Sequence, residues 1–370
     1  MARPLRGILS ALATPFSEDG SKIDEGALRE LVDGTIAAGI HGLIPCGSIG
    51  EFPILSVEER KRIAEVVVDQ ARGRVPVVPH TGSCSTADAI DLSRHAESLG
   101  ADAIMIVQPY YEPTSLDELF GYFKDVSDAI HIPMMVYNNP AGTGMNPPTD
   151  FLIRMAREIE NVQYIKDSSG DISAVQELMF KYGNEVTIFN GWDTIAFPVL
   201  ALGGKGAVWG AGNVAPRQCA ELFNLVEVGK LEEARALWVE KLWPVNQFLV
   251  TEGYTASVKA GANLIGFHVG NPRLPYRPPF AGEGGGAEGA AGERGSHRGA
   301  PPAQVRLALL ECGGLTPQGG AGQRGGRGQA LSKPARCAGQ HCGVKPPHSK
   351  TVVPSQAAPL RKRTTDPVGI

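Results

Sequence analysis

Short apolar runs alternate with amphipathic segments from residue 7 to about residue 215. Each run is rich in β-branched or aliphatic residues and stops at Gly, Pro, Ser or Asn, as strands do. The segments between them carry apolar residues at three- and four-residue spacing, which is typical of helices. The pattern predicts eight strands: GILSALATPF, HGLIPCGS, VPVVPHTG, ADAIMIVQP, PMMVYNNP, VQYIKDSS, VTIFNGW and GAVWGAGN.

The alternation also predicts how these strands pair. A crossover between parallel strands needs a connection of helix length, so strands that alternate with helices form a parallel sheet. Eight such units in about 200 residues fit a closed (β/α)8 barrel, the TIM barrel, better than an open doubly wound sheet, which is the alternative.

Two further regions follow the predicted barrel. We expect a catalytic barrel over residues 1–214, extra helices over 215–279 and a low-complexity, disordered tail over 280–370. The tail is rich in Gly, Ala, Pro and Arg, with too few aromatic residues to bury a core. We attribute it to a reading-frame shift in a GC-rich gene, a hypothesis that resequencing would test.

Composition and charge narrow the choice of partners. Of the 370 residues 42% are hydrophobic and 20% charged, and the net charge is −4. This charge provides no basic field for nucleic acid or an anionic membrane, and no apolar run approaches the roughly 20 residues of a spanning helix. Six cysteines without framework spacing are typical of a reduced protein. We therefore expect a cytoplasmic protein that binds small molecules.

A lysine interrupts the sixth predicted strand, in VQYIKDSSGD. The carboxyl ends of barrel strands carry the active site. Lys166 at such an end would lie among apolar residues, away from water, and its neutral amine could attack a carbonyl carbon to form a Schiff base. The alternative is a structural ion pair with Asp167 or another carboxylate, and this segment alone does not decide between them.

Two other strand ends carry groups that suit the same chemistry. Tyr137, in VYNNPAGTG, could move protons to and from an imine, although a lone tyrosine there is more often a packing residue. The turn PCGSIGE, with Gly47, Ser48, Ile49 and Gly50, could hold a carboxylate with its backbone N–H groups and the serine hydroxyl. Together with the lysine, these groups describe a site that activates a 2-oxo acid.

Several of these motifs resemble one enzyme family in their order and separation. GSIGE (47–51), YNNPAGTG (137–144) and IKDSSGD (165–171) are similar to motifs of the dihydrodipicolinate synthase and N-acetylneuraminate lyase family of class I aldolases. PYYEPT (109–114) and ALGGKGAVWGAGNVAP (201–216) resemble the fourth-strand and eighth-strand segments of that family. The resemblance covers about residues 5 to 278.

The resemblance implies roles for individual residues. Lys166 would form the Schiff base, Tyr137 would transfer protons, Ser48 would link the tyrosine to the substrate carboxylate, and Tyr111 would reach into a neighbouring subunit. It further implies a homotetramer built from two tight dimers, with no metal or organic cofactor, because the lysine imine is the electron sink. We assign substrate binding to Gly47, Ile49, Gly50, Gly142, Asn190 and Val208.

Two departures from the family pattern bear on the substrate. Ile49 replaces a second hydroxyl residue of the usual GTTGE turn. Gly142 stands where YNVPSRTG of dihydrodipicolinate synthases has an arginine, so the partner for a second carboxylate is missing. This argues against a role in lysine biosynthesis. Trp192, Asp193 and Trp209 are candidates for a pocket that fits a different substrate tail.

The expected function is a lyase that makes or cleaves a C–C bond between a 2-oxo acid such as pyruvate and an aldehyde. Three alternatives stay open: loss of water or ammonia from a 2-keto-3-deoxy acid through the same imine, 4-hydroxy-tetrahydrodipicolinate synthase itself, and a 2-oxo-acid-binding barrel without turnover. The presence of both Lys166 and Tyr137 speaks against the last. His80, on the third predicted strand, is expected to be a core residue.

Overall fold

The structure is a computed structural model that describes residues 4–251 and 253–279. The predicted tail over 280–370 lies outside the described residues. The described residues form one sheet of seven strands, all paired in parallel. The strands are β1 (Gly7–Ala11), β2 (Gly42–Ile44), β3 (Ile104–Val107), β4 (Met134–Asn138), β5 (Val162–Asp167), β6 (Thr187–Asn190) and β7 (Gly206–Trp209).

The sheet order is β2-β1-β7-β6-β5-β4-β3, and the segment VPVVPHTG closes the gap between β2 and β3. Val78 N–H donates to Leu43 O on one side at 2.8 Å, and Met105 N–H donates to Pro79 O on the other at 2.9 Å. This segment forms isolated bridges instead of the predicted strand, because Pro76 and Pro79 have no N–H to donate. The predicted TIM barrel is confirmed, with this eighth position irregular.

Helices connect the strands and continue after β7. Two of them begin with a capping box, formed by Ser56 with Glu59 and by Ser115 with Glu118. No helix among the described residues is long and apolar enough to cross a membrane. The helices are α1 (Glu25–Ala37), α2 (Val57–Ala71), α3 (Thr86–Ser98), α4 (Leu116–Ser127), α5 (Pro140–Thr143), α6 (Thr149–Glu158), α7 (Ile172–Tyr182), α8 (Ala196–Ala201), α9 (Pro216–Glu227), α10 (Leu231–Leu237), α11 (Trp243–Thr251) and α12 (Tyr254–Leu264).

Alternate residues of β3 and β4 belong to different hydrophobic clusters. Met105 and Val107 of β3 lie in the cluster that fills the barrel, whereas Ile104 and Ile106 lie in the cluster under the outer helices. The same alternation places Ile165 of β5 outside. Because strand side chains point to opposite faces in turn, the lysine that follows Ile165 faces the barrel interior.

A fully buried ion pair joins the loop after β2 to helix α12. Lys259 on α12 donates to Glu51 Oε1 at 2.9 Å, and both side chains are 0% exposed. The Lys259 ammonium also donates to the carbonyl oxygens of Thr14 and Asn271, each at 2.8 Å. Glu51 Oε2 accepts from Arg273 N–H at 2.9 Å. All three ammonium hydrogens therefore have acceptors, which a buried charge requires.

Replacing one partner should strongly destabilise the protein. We expect Lys259→Met to lower the free energy of unfolding by about 3–5 kcal/mol, because the Glu51 carboxylate would stay buried without its cation. Urea unfolding followed by circular dichroism measures this.

The exposed pair between Arg235 and Glu232 provides the control. Arg235 Nη2 lies 2.8 Å from Glu232 Oε2, and both side chains face solvent. We expect Arg235→Ala to change the free energy of unfolding by less than about 0.5 kcal/mol. If Lys259→Met costs no more than Arg235→Ala, the buried pair does not have this role.

Candidate active site

Lys166 and Tyr137 lie side by side at the carboxyl ends of β5 and β4. The two residues are paired in the parallel register of these strands. Lys166 Nζ lies 3.7 Å from the centre of the Tyr137 ring. Each side chain is only 5% exposed. The structure therefore brings the two main predicted catalytic residues into contact inside the barrel.

Lys166 has no acidic partner in the part of the chain that the structure describes. It makes neither an ion pair nor a hydrogen bond with any residue that the structure describes. The Asp167 carboxylate does not pair with Lys166. It accepts hydrogen bonds from Asn138 Nδ2 at 2.8 Å and from Ser169 N–H at 3.0 Å. The alternative that the sequence allowed, an ion pair of Lys166 with Asp167 or another carboxylate, is therefore not formed within residues 4–251 and 253–279. A buried amine without a counter-ion is available for covalent chemistry.

The GSIGE turn presents backbone donors at the same end of the barrel. The N–H groups of Ser48 and Ile49 donate to no described residue, and Ser48 is exposed. The Ile49 side chain is 2% exposed and packs in the barrel core, so only its backbone can face a ligand. A Cβ at Gly50 would lie 3.0 Å from the backbone of Cys46, so a larger residue would push this tight turn apart and glycine is favoured there.

A cavity of about 270 Å³ opens at this end of the barrel, and the described residues that line it include no charged side chain. Its polar groups are the hydroxyls and amides of serine, threonine, tyrosine and asparagine. Lys166 and Tyr137 do not line it, but Val107, which pairs with Tyr137 across β3 and β4, does. The lining residues are Ser48, Phe52, Pro53, Val107, Tyr110, Asn139, Gly142, Thr143, Thr255 and Tyr276.

Gly142 lies in this cavity beside the Asn139 side chain. A Cβ at position 142 would collide with Asn139 Nδ2. The asparagine amide thus occupies the place where a larger side chain at position 142 would begin. The described lining has no cationic group at the position where dihydrodipicolinate synthases have an arginine, as the sequence predicts.

Three other predicted site residues have different surroundings. Asn190 is buried and uses its amide within its own loop, where Nδ2 donates to Trp192 O at 2.8 Å. Val208 is buried in the barrel core. Tyr111 is 83% exposed. Among the described residues no hydrogen bond joins Ser48 to Tyr137, and the expected role of Tyr111 in a neighbouring subunit stays a prediction.

The remaining sequence candidates lie mainly in the core. Trp209 is fully buried and stacks on Trp238 at 6.1 Å between ring centres. Trp192 packs against the backbone at Gly170. His80 is buried and accepts from Val107 N–H at 3.3 Å. Burial, with the charges of Arg60 and Lys166, holds the pKa of His80 well below its ordinary value. The imidazole is therefore neutral and structural.

Asp193, which follows β6, forms a hydrogen-bonded pair with Tyr254 at the start of α12. The tyrosine hydroxyl donates to Asp193 Oδ1 at 2.5 Å and accepts from Gly210 N–H at 3.2 Å. Asp193 is buried, and burial raises its pKa to about 6, although Tyr254 and Lys166 act in the opposite direction. Sequence patterns singled out Asp193 but gave no sign of Tyr254.

Comparisons with known proteins agree with this geometry. The sequence pattern described as "Dihydrodipicolinate synthetase family" matches residues 4–281. The chain belongs to the dihydrodipicolinate synthetase family. A 4-hydroxy-tetrahydrodipicolinate synthase from Methanopyrus kandleri is 37% identical over 277 residues, which cover 75% of this chain and 92% of that protein. The predicted family and enzyme class, a lyase, are thereby confirmed.

Solved structures of the dihydrodipicolinate synthetase family share the fold. A putative dihydrodipicolinate synthetase from Pseudomonas aeruginosa has a TM-score of 0.73 at 31% identity, covering 84% of this chain and all of that one. A prophage protein of the family from E. coli K12, in complex with pyruvate, has a TM-score of 0.72 at 29% identity, covering 83% of this chain and 96% of that one.

The elevated pKa of Asp193 predicts a pH-dependent effect of Asp193→Asn on stability. With a folded-state pKa of about 6 against an ordinary value of 3.8, the folded state binds the proton more tightly, so stability falls as pH rises through this window. We expect Asp193→Asn to raise the free energy of unfolding at pH 8 by up to about 3 kcal/mol, since each pKa unit corresponds to about 1.4 kcal/mol.

The gain should disappear near pH 3.5, where the carboxyl is protonated in both states. Urea unfolding of the parent and the variant at several pH values measures the difference. A constant difference from pH 3.5 to pH 8 would contradict the elevated pKa.

Proposed function

We propose that Lys166 forms a Schiff base with a 2-oxo acid such as pyruvate, and that the enzyme joins this acid reversibly to an aldehyde with an uncharged, hydroxylated tail. One observation carries the proposal: Lys166 is buried, has no acidic partner among the described residues, and touches Tyr137 with its amine 3.7 Å from the ring centre. The solved family structure with bound pyruvate supports a pyruvate-like substrate.

The chemistry follows from the positions of these groups. The Lys166 amine attacks the ketone carbon, and the resulting carbinolamine loses water to give an imine. Tyr137, beside the amine, moves the protons of these steps. The free N–H groups of Ser48 and Ile49, with the Ser48 hydroxyl, hold the substrate carboxylate. The imine then loses a proton from C3, and the resulting enamine carbon attacks the aldehyde.

The cavity supports an uncharged second substrate. Its described lining offers hydroxyl and amide groups but no cation, and Gly142 and Asn139 occupy the place where dihydrodipicolinate synthases have an arginine. An aldehyde with a carboxylate would lose water there without gaining an ionic partner. Hydroxyl groups on the aldehyde, by contrast, would find hydrogen-bonding partners among the lining residues.

A second candidate is 4-hydroxy-tetrahydrodipicolinate synthase, the name of the relatives that are 36–40% identical to this chain. That function requires an amino-acid semialdehyde with a carboxylate as second substrate. The two candidates share the imine at Lys166 and differ in the tail that the cavity accepts.

Assembly and location are further parts of this proposal. A homotetramer built from two tight dimers would give the exposed Tyr111 a place in a neighbouring site. Light scattering in solution would measure the assembly. Cys46 and Cys84 form no disulfide among the described residues, which supports a reducing compartment such as the cytoplasm.

Borohydride reduction with and without pyruvate tests the imine. We expect a pyruvate-dependent mass gain on the peptide that contains Lys166, and loss of this gain in Lys166→Arg, whose guanidinium cannot attack. Lys259 is an internal control, since it is also buried but its three hydrogens are bound. No labelling with pyruvate or with longer 2-oxo acids would refute the proposed function.

Introducing an arginine at position 142 tests which aldehyde tail the cavity accepts. We expect Asn139→Val with Gly142→Arg to raise kcat/KM for aspartate semialdehyde by about 10-fold or more relative to glyceraldehyde, because a guanidinium pairs with the added carboxylate. The single change Asn139→Val is the control, since it frees the space without adding charge. A parent enzyme that already prefers aspartate semialdehyde would favour the second candidate.

A further inference from the structure

The segment that follows helix α12 contributes Tyr276 to the wall of the cavity. Most of the other described lining residues come after β2, β3 or β4, at the carboxyl ends of those strands. The Tyr276 side chain is 42% exposed, whereas Val107, which lines the cavity from β3, is 3% exposed. Tyr276 therefore lies at the mouth of the cavity, and Val107 lies at its inner end.

Arg273 holds this segment in place. Its guanidinium donates to both carboxylate oxygens of Glu59, at 3.0 and 2.9 Å, and to Gly20 O at 2.8 Å. Its backbone N–H donates to the buried Glu51 carboxylate at 2.9 Å. Tyr276 N–H in turn donates to Arg273 O at 3.1 Å. Since a bidentate arginine–carboxylate contact fixes direction as well as distance, the turn that carries Tyr276 has a defined position.

Other hydroxyl groups of the lining are already bound within the protein. Thr143 Oγ1 accepts from Gln108 Nε2 at 2.7 Å and donates to Asn139 O at 2.9 Å. Burial, followed by the charge of Cys84 and a hydrogen bond with it, raises the pKa of Tyr110. The hydroxyls of Thr143 and Tyr110 are therefore less available to a substrate.

Two lining hydroxyls are left for the aldehyde. Neither the Tyr276 hydroxyl nor the Thr255 hydroxyl makes a hydrogen bond with a residue that the structure describes, and Ser48 is assigned to the carboxylate of the 2-oxo acid. The tyrosine hydroxyl extends much farther from its backbone than the threonine hydroxyl does. Tyr276 at the mouth is therefore the better partner for a group at the far end of a substrate tail.

We propose that Tyr276 is a specificity-determining residue, whose hydroxyl binds the terminal hydroxyl group of the aldehyde. Arg273 is its positioning residue, because it holds the turn that carries the tyrosine. The inference rests on the proposed function and deepens it: the enzyme selects aldehydes by a hydroxyl on the carbon farthest from the carbonyl group.

Two aldehydes that differ only in this hydroxyl test the inference. D-glyceraldehyde has a terminal hydroxyl and D-lactaldehyde lacks it. At saturating pyruvate we expect kcat/KM of the parent to be about 5-fold higher for glyceraldehyde, because one uncharged hydrogen bond near solvent has a modest net effect. In Tyr276→Phe this ratio should fall to about 1. Tyr182→Phe makes the same chemical change on the outer helix α7 and should keep the ratio of the parent.

Arg273→Met tests the positioning role. The variant keeps the backbone N–H that binds Glu51 but loses the guanidinium contacts with Glu59 and Gly20. We expect the glyceraldehyde-to-lactaldehyde ratio to fall in this variant. Adding Arg273→Met to Tyr276→Phe should not change the ratio further, because both changes remove the same contact.

Several outcomes would overturn the inference. They are a parent that does not prefer glyceraldehyde to lactaldehyde, a Tyr276→Phe variant that keeps the preference, and an equal loss of activity with both aldehydes, which would indicate a purely structural role. A larger fall of the ratio in Thr255→Val than in Tyr276→Phe would assign the contact to Thr255 instead. A parent that labels with pyruvate but condenses it with neither aldehyde would also overturn it. A parent that fails to label would instead refute the proposed function.

Discussion

The buried ammonium of Lys259 determines where the C-terminal part of the chain lies on the barrel. Its three hydrogens bind Thr14 O, Glu51 Oε1 and Asn271 O, which belong to three separate segments. Glu51 ends the GSIGE turn, so the same contact fixes that turn and helix α12 relative to each other. Since α12 begins with Tyr254 and Thr255, the ion pair also determines which groups from this helix reach the active site.

Two buried lysines in this protein show opposite uses of the same side chain. Lys259 has an acceptor for each hydrogen, and burial lowers its pKa only to about 8 because Glu51 opposes the effect. Lys166 is also buried, but its amine lies against the face of Tyr137 and has no ion pair or hydrogen bond with a described residue. A fully bound ammonium stabilises the fold, whereas an unpaired amine can share its lone pair with a carbonyl carbon. The groups that each lysine contacts, more than its burial, therefore decide whether the lysine is structural or reactive.

The sequence predicted the parts of this structure that depend on local pattern. The alternation of strands and helices predicted the barrel, and Lys166 stood out as a charge in a buried strand. The third predicted strand is irregular in the structure, because Pro76 and Pro79 keep their carbonyl acceptors but have no N–H donors, so the segment pairs only in part. Glu51 with Lys259 and Asp193 with Tyr254 were also missed. These partners are far apart in the chain, and only the packing of α12 on the barrel brings them together.

Two electrostatic features of the cavity region bear on the charge that the aldehyde can carry. The lining lacks a cation, because Asn139 fills the space beside Gly142. Asp193 is linked to the cavity through its hydrogen bond with Tyr254, because Thr255, the next residue, lines the cavity; with a pKa of about 6, Asp193 ionises as the pH approaches neutrality. A carboxylate on the aldehyde would therefore meet no attraction and a nearby negative charge, which is poorly screened when buried. An uncharged, hydroxylated tail avoids this repulsion and can bond to the hydroxyl groups of the lining.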